Sequence, residues 1–398
     1  MPQIQNLKEL SFLIYGLGLS GSSVVKFFEK NNIKNFKVWD DKQKKLFKNY
    51  RAKNLKFALK EVDYIVLSPG VSLIKKKNLK KYKKKIITDI DLFYLAKFKS
   101  KSIVVTGTNG KSTTCKLLAH LLKKNRISYF LGGNIGTPIL EVDNLKNQYV
   151  IIEASSFQLS HSQFINPDFA ILINLTNDHL DWHGNMNNYL NSKLKIFKLQ
   201  SRNNVAVANK QFKKIFKKKN FLSKFICPKN KEYKKIKLKI KNDYLTSNIN
   251  DENMSFAFTF SKLFKIKEKY FIEAMNSFRG LSHRFEIFLK KNNITFINDS
   301  KATSFKATES ALLSLQNIYW ILGGLPKKND KIRLVNCKKN ISKCYLIGKN
   351  IKFFKNQIKG KLPFSITTNL KNTINEIIKD FNKNKNIKKF VLLSPAAA

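Results

Sequence analysis

Short apolar runs recur along the chain and alternate with stretches in which apolar residues return every third or fourth position. The runs Phe12–Tyr15, Phe36–Trp39, Tyr64–Leu67, Ile103–Thr106, Tyr149–Ile152 and Phe169–Asn174 read as strands, and the amphipathic stretches between them as helices. That alternation predicts an α/β fold of parallel sheets covered by helices. A lysine-heavy connector, Leu95–Ser102, precedes a fresh strand-turn-helix unit, and a second break falls at Phe278–Arg284, where a helix ends at Arg279-Gly280 and a strand Phe285–Leu289 begins. Three α/β domains follow, residues 1–97, 98–280 and 281–398. The Lys/Asn-rich piece Asn209–Lys241 reads as a solvent-facing excursion without chemistry.

A chain of 398 residues, 43% hydrophobic and 12% aromatic, is neither one small module nor disordered throughout. Charge complicates the picture: 76 Lys and Arg against 26 Asp and Glu give +50, which alone suggests a polyanion partner. The lysines are spread through nearly every segment instead of concentrating on one element, so they read as solvated surface compatible with small anionic substrates, and no nucleic-acid partner is expected. Cys115, Cys227, Cys337 and Cys344 include no C-x-x-C pair, so they read as reduced thiols of a cytosolic protein. The apolar stretch Ser11–Leu19 has no cleavage pattern behind it, and no run approaches the roughly 18 residues of a membrane span. A soluble, unexported, cytoplasmic protein is expected.

Two glycine loops carry the candidate chemistry. Gly16-Leu-Gly18-Leu-Ser20-Gly21 follows a strand and opens a helix at Ser22–Lys30, with Asp40 at the end of the next strand. This spacing suits a nucleotide diphosphate at a helix N-terminus; by itself it leaves a nicotinamide or flavin enzyme, another nucleotide binder and a structural turn all open. Thr106-Gly107-Thr108-Asn109-Gly110-Lys111-Ser112-Thr113 likewise joins the strand Ile103–Val105 to a helix at Cys115–Lys124 and resembles a shortened P-loop, with Val105 where the first glycine usually stands. Backbone N–H groups of Gly107 to Lys111 can cradle phosphate, Lys111 can neutralise it, and the Ser112 or Thr113 hydroxyl can face Mg2+. Glu153 follows a buried strand, where a lone carboxylate is costly unless a cation meets it. Asp178 and His179 follow another strand end, the side of an open parallel sheet on which ligands bind, so all three can converge on Lys111.

The loop Gly107–Thr113, the runs Gly133-Asn134-Ile135-Gly136 and Glu153-Ala-Ser155-Ser-Phe-Gln158, and Asn174 through His179 together resemble the Mur ligase family, ATP-dependent amide-forming enzymes that build the peptide of the bacterial cell-wall precursor and so serve cell shape and division. Leu281-Ser-His-Arg284-Phe-Glu286, Asn298-Asp299-Ser-Lys301-Ala-Thr303 and Leu322-Gly-Gly324 with Lys327 are similar to its D-glutamate-adding branch. The resemblance implies a Rossmann-like N-terminal domain, a P-loop-type central ATPase domain and a Rossmann-like C-terminal domain binding the incoming amino acid. It assigns the first glycine loop to the uridine diphosphate of UDP-N-acetylmuramoyl-L-alanine, not to NAD, with Ser20, Gly21, Asp40 and Lys42 as contacts and Asn134 and Ser155 as further substrate residues. It implies two Mg2+ sites, using Ser112, Thr113, Glu153 and His179, and a carbamylated Lys193. Lys111, Glu153, His179 and Lys193 are the implied catalytic set. ATP would be held by Gly107 to Thr113, by Asn250 and Asn253 at the adenine, and by Arg284 and Asp299. D-Glutamate would be held by Lys301, Thr303 and Lys327. A carboxylate activated as an acyl phosphate, closure of the third domain to complete the site, and a monomer are implied too.

The chain departs from the family's pattern at Ile249, where a histidine is usual, and at Pro326 and Lys328, where glycines are. It ends in Leu392-Leu-Ser394-Pro-Ala-Ala-Ala398, where the family continues with a serine and a final helix; the expectation is a last sheet short of one helix and a copy that binds nucleotides but ligates weakly. Another Mur-type or folylpolyglutamate-type ligase, and a non-enzymatic basic nucleotide-binding module, stay open as alternatives.

Overall fold

A computed structural model describes residues 5–71, 73, 76–142, 148–326, 330–332, 334–381 and 387–397. The chain divides into two compact units, Met1–Lys235 with Glu252–Ala274, and Ile236–Asp251 with Met275–Ala398. The first unit holds two sheets. In one, β1 (Phe12–Tyr15), β2 (Phe36–Trp39), β3 (Tyr64–Leu67) and β4 (Ile86–Ile87) lie parallel in the order β2-β1-β3-β4. In the other, β5 (Lys101–Thr106), β6 (Tyr129–Gly133), β7 (Tyr149–Glu153), β8 (Phe169–Leu172), β9 (Val205–Ala208) and β10 (Lys224–Ile226) are ordered β10-β9-β8-β5-β7-β6 and are again parallel. β5 is buried from Ser102 to Thr106, as a central parallel strand covered on both faces must be. Its C-terminal end, flanked by those of β7 and β8, is where the second glycine loop emerges.

The second unit holds β11 (Glu286–Lys291), β12 (Ile294–Asn298), β13 (Ile318–Leu322), β14 (Ile341–Leu346), β15 (Phe364–Ile366) and β16 (Lys389–Leu393), in the order β11-β12-β16-β13-β14-β15. Among the described residues of this sheet, only the β11–β12 pair is antiparallel. The apolar run Lys389–Leu393 is therefore a central strand, and its residues Val391 and Leu392 are buried. Among the described residues no helix is long and apolar enough to cross a membrane.

Several boundaries differ from the sequence reading. The helix after the first glycine loop runs Leu19–Lys30, and the one after the second runs Lys111–Lys124, four residues longer than expected. Ser112, Thr113 and Thr114 have modest helix propensity, but all three are buried at this helix start, and packing overrides propensity. The strand expected from Phe285 starts one residue later, because Phe285 takes a left-handed φ of 45° that no strand accommodates. The segment Asn209–Lys241 is no mere excursion: it supplies β10, buries Phe212 and Phe216, and clusters the Phe216 ring with Phe197, Phe221 and Phe225.

Asp91 ties the first sheet's segment to the second. It completes a capping box with Thr88 at the start of the helix Asp89–Leu95, and its Oδ1 accepts the N–H groups of Gln163 (2.9 Å) and Phe164 (2.7 Å). Burial pushes its carboxyl up from 3.8 to about 6, although these donors and Thr88 oppose the rise. A folded pKa above the unfolded one means that the folded state binds the proton more tightly, so this group's contribution to stability is lost as pH rises from about 4 through 6. Denaturant melts over that window should carry a component approaching about 1.4 kcal/mol per pH unit that Asp91→Asn removes, whatever that substitution costs in absolute stability. An unchanged slope would place the titration elsewhere.

Candidate active site

At the end of β5 the chain turns through Gly107 to Gly110 into the helix Lys111–Lys124. Gly110 is left-handed (φ 80°), and a Cβ there would lie 2.2 Å from Asn253 Oδ1, so only glycine fits. The loop is braced from β8: Asn174 Oδ1 accepts the N–H of Thr108 (3.1 Å) and of Asn109 (2.9 Å), and the Thr108 N–H also reaches Asn174 O at 3.1 Å. Of the N–H groups of Gly107 to Lys111, read from the sequence as able to cradle phosphate, two are already hydrogen-bonded within the protein. Those of Thr108 and Asn109 are occupied by the scaffold.

Two lysines converge on the same carbonyl. Lys111 Nζ donates to Gly107 O (3.0 Å) and Thr108 O (2.8 Å), while Lys193 Nζ donates to Gly107 O at 2.7 Å. Lys193 is 1% exposed, on the helix Met186–Lys198, with its Nζ 4.5 Å from the centre of the Tyr189 ring. Burial first, and then the charge of Lys111, hold its amine well below the usual lysine range. The Tyr189 hydroxyl meets Thr108 Oγ1 at 3.1 Å, which anchors this helix to the loop.

Glu153 ends β7 and is 2% exposed; its Oε1 accepts from Asn134 Nδ2 at 2.8 Å, and its Oε2 is buried with no hydrogen-bond partner. Ser155 caps the next helix in a reciprocal box with Gln158, whose Oε1 accepts from Ser155 Oγ at 2.9 Å and whose Nε2 lies 3.5 Å from the buried Asp89. His179 takes a left-handed φ of 53°; its N–H donates to Asp178 Oδ1 (2.9 Å), and its Nε2 lies 3.4 Å from Asp178 Oδ2. Its ring is 6.2 Å from that of Tyr189, which brings it to the neighbourhood of Lys193. Ser112 and Thr113 are buried in the first helical turn. Among the described residues, no group of three or more His, Cys, Asp or Glu side chains gathers to hold a metal by itself.

The first glycine loop is equally tight. A Cβ on Gly21 would lie 1.9 Å from Gly16 O, whereas one on Gly18 would meet nothing within 4 Å. Asp40 is held in place by backbone donors: Oδ2 accepts from Leu17 (2.7 Å), and Oδ1 from Lys42 and Gln43 (2.8 Å each). Burial tends to raise its pKa, but these donors outweigh it and hold the carboxyl below its usual value. Ser20 faces Asp89, and the Lys42 side chain is exposed.

In the second unit, Asp299 Oδ2 accepts from Ser394 Oγ (2.8 Å) and Oδ1 from the Phe285 N–H (3.0 Å). Burial raises its carboxyl to about 6 against the pull of these donors and of Arg284. Lys301 is exposed and its N–H reaches His283 O at 3.0 Å; Thr303 is half-buried. Asn250 is buried with Nδ2 on Tyr244 O (2.8 Å). Lys327 lies outside the described residues.

Residues 105–277 match the Mur ligase middle domain. The UDP-N-acetylmuramoylalanine–D-glutamate ligase of Rickettsia prowazekii is 33% identical over 97% of this chain and 92% of its own length, and the enzyme of that name from a Wolbachia of Brugia malayi is 32% identical over 100% and 93%. The chain belongs to the Mur ligase family. The fold agrees: the UDP-N-acetylmuramate–alanine ligase of Thermotoga maritima superposes with a TM-score of 0.56 at 17% identity, covering 98% of this chain and 96% of that one. The MurF ligase of Thermotoga maritima, solved with ADP, gives 0.56 at 16% identity over 98% and 92%.

Around the Mur ligase site the structure brings together residues that the sequence reading had passed over. Tyr189, Asn174 and Glu252 all touch or brace the second glycine loop, and Gln158 joins Ser155 to Asp89. His183 is a further one: its Nε2 lies 3.0 Å from Ser156 Oγ, its ring stacks on Phe157, and burial, followed by His179 and Lys193, lowers its pKa to about 4. Each of these is an ordinary polar or aromatic residue in sequence. Asn174 and Gln158, inside runs that the sequence already flagged, carried a usable signal.

Proposed function

We propose that this Mur ligase adds D-glutamate to UDP-N-acetylmuramoyl-L-alanine at the expense of ATP, releasing ADP and phosphate. Full-length relatives of that name support the reading, and the observation that carries it is the phosphate loop bordered by a buried, half-partnered Glu153 and a buried, neutral-leaning Lys193. An oxygen of the alanyl carboxylate attacks the γ-phosphorus of ATP and ADP leaves; the D-glutamate amine then attacks the acyl carbon, and phosphate leaves as the amide forms. Gly110 and the first turn of the helix Lys111–Lys124 receive the phosphates, and Lys111 offsets their charge.

The donor set fits Mg2+. Glu153 Oε2 is a buried oxygen lacking a partner, Ser112 and Thr113 contribute hard hydroxyl oxygens, and an ion that completes its shell with phosphate oxygens needs no cluster of protein carboxylates. Glu153, Ser112, Thr113 and His179 would hold two ions, with Lys193 contributing as its carbamate. Bound Mg2+ supplies the positive charge that lets two anions approach. Ser20, Gly21, Asp40, Lys42, Asn134 and Ser155 are assigned to the UDP-sugar, Asn250, Asn253, Arg284 and Asp299 to ATP, and Lys301, Thr303 and Lys327 to D-glutamate, on domains 1–97, 98–280 and 281–398. Substrates of this kind put the enzyme in the cytoplasm.

Phosphate release with UDP-N-acetylmuramoyl-L-alanine, ATP and each candidate amino acid in turn tests the proposal. Stimulation by D-glutamate of at least about tenfold over any other amino acid is expected. Stimulation by another amino acid alone would transfer the chain to a different branch, and none at all with nucleotide bound would support an impaired copy.

A further inference from the structure

The helix Asp251–Leu263 reaches the phosphate loop through a relay of two side chains, Glu252 and Asn174, with Asn209 as the second partner of Glu252. Glu252 Oε2 accepts from Asn174 Nδ2 at 2.5 Å, and Glu252 Oε1 accepts from Asn209 Nδ2 at 2.7 Å. Asn209 Nδ2 also donates to Ile173 O at 2.8 Å, so it is held to the end of β8 without Glu252. Asn174 is different, because its primary amide is the brace of the loop, with Oδ1 on the N–H groups of Thr108 and Asn109.

A primary amide has two faces of opposite character, and turning it over would set its NH2 against two N–H donors. What holds it one way round is an acceptor on the other side. Glu252 supplies that acceptor, and as a carboxylate it serves two amides at once, which a neutral amide side chain in its place could not do. One residue further on, Asn253 lies against Gly110, and its Oδ1 accepts from Thr114 Oγ1 at 3.3 Å. The start of this helix therefore braces the loop at both of its ends.

We infer that Glu252 is a positioning residue for the ATP step: through Asn174 it fixes the upper half of the phosphate loop, so that Gly110 and Lys111 are presented to the triphosphate in one arrangement. This rests on the reading of residues 107–113 as the ATP phosphate site. It predicts that loss of Glu252 loosens ATP binding specifically, a split that a merely structural role would not give.

The test is steady-state phosphate release by the full chain, with ATP and UDP-N-acetylmuramoyl-L-alanine varied separately, for Glu252→Met, Glu252→Gln, Asn174→Ala, the Glu252→Met/Asn174→Ala double variant, Asn209→Ala and Lys111→Ala. Glu252→Met should raise KM for ATP about tenfold and leave KM for the sugar nucleotide within about twofold. Glu252→Gln, which keeps one acceptor, should fall between it and the parent. The double variant should be no worse than Asn174→Ala alone, as two members of one relay require. Asn209→Ala removes the other partner of Glu252 and should leave KM for ATP within about twofold, which separates positioning from general stability. The inference is overturned if Glu252→Met leaves KM for ATP unchanged, if its effect adds fully to that of Asn174→Ala, or if both KM values rise together. Should Glu252→Met be recovered unfolded, the comparison of Glu252→Gln with Asn209→Ala decides by the same KM split. Lys111→Ala reports on the parent reading: unchanged ATP turnover there would refute the phosphate site itself, whatever Glu252 does.

Discussion

Exchanging Glu153 for glutamine should lower kcat for nucleotide-dependent phosphate release by about 10³-fold or more, and at the same time raise the melting temperature of the nucleotide-free protein. Both effects come from the same oxygen. Glu153 Oε2 is buried at the end of β7 without a hydrogen-bond partner, an arrangement that costs a folded protein about 1–3 kcal/mol. Under the proposed Mg2+ assignment, that oxygen would meet a cation when substrates are bound. Glutamine retains an oxygen for the 2.8 Å bond from Asn134 and presents an uncharged group in place of the other oxygen. About 1 kcal/mol of stability should return, which reads as a rise of about 2 °C in a thermal melt without nucleotide. Added Mg2+ and a non-hydrolysable ATP analogue should stabilise the parent more than the variant. Full activity in the glutamine variant would remove Glu153 from the metal-binding set.

Lys193→Arg is the second large effect, with kcat expected to fall about 10³-fold at little cost in secondary structure. The amine of Lys193 is 1% exposed and is held well below the usual lysine range by burial and by Lys111, which favours the neutral form with a lone pair to offer. That lone pair can attack the carbon of CO2; one proton is released, and the side chain becomes a carbamate anion that keeps an N–H for Gly107 O. Arginine stays protonated and cannot follow. Enzyme stripped of CO2 should lose activity and recover it with bicarbonate, and 13C-bicarbonate should give a carbamate resonance in the parent that Lys193→Arg lacks. Activity indifferent to bicarbonate, with no such resonance, would leave Lys193 as an uncharged donor to the loop and nothing more.

The fold was readable in some places and not in others, for physical reasons that differ. β1, β2 and β3 fall on the very residues that the apolar pattern indicates: the inner strands β1 and β3 write a continuous apolar signal, and the edge strand β2 an alternating one, with Phe36 and Val38 buried and Lys37 exposed. The start of the helix Lys111–Lys124 was missed because Ser112, Thr113 and Thr114 look like loop residues until a core closes over them. β10 was hidden by the lysines around Phe225: an edge strand needs only a few apolar contacts, and its identity depends on the neighbour that pairs with it.

The sequence by itself determined the glycine loops, the buried strand before Glu153 and the order of motifs along the chain, since these rest on local sterics and on burial that each segment encodes alone. Which N–H groups of the second glycine loop are occupied was decided only in three dimensions. Asn174 reaches Thr108 and Asn109 from 65 or more residues away, and Glu252 reaches Asn174 from a further 78, so their roles exist only once separate segments have been brought to one end of a sheet. The amine of Lys193 belongs to the same class: one lysine among many in the sequence, it is set apart by the burial and by the neighbouring Lys111 that folding provides.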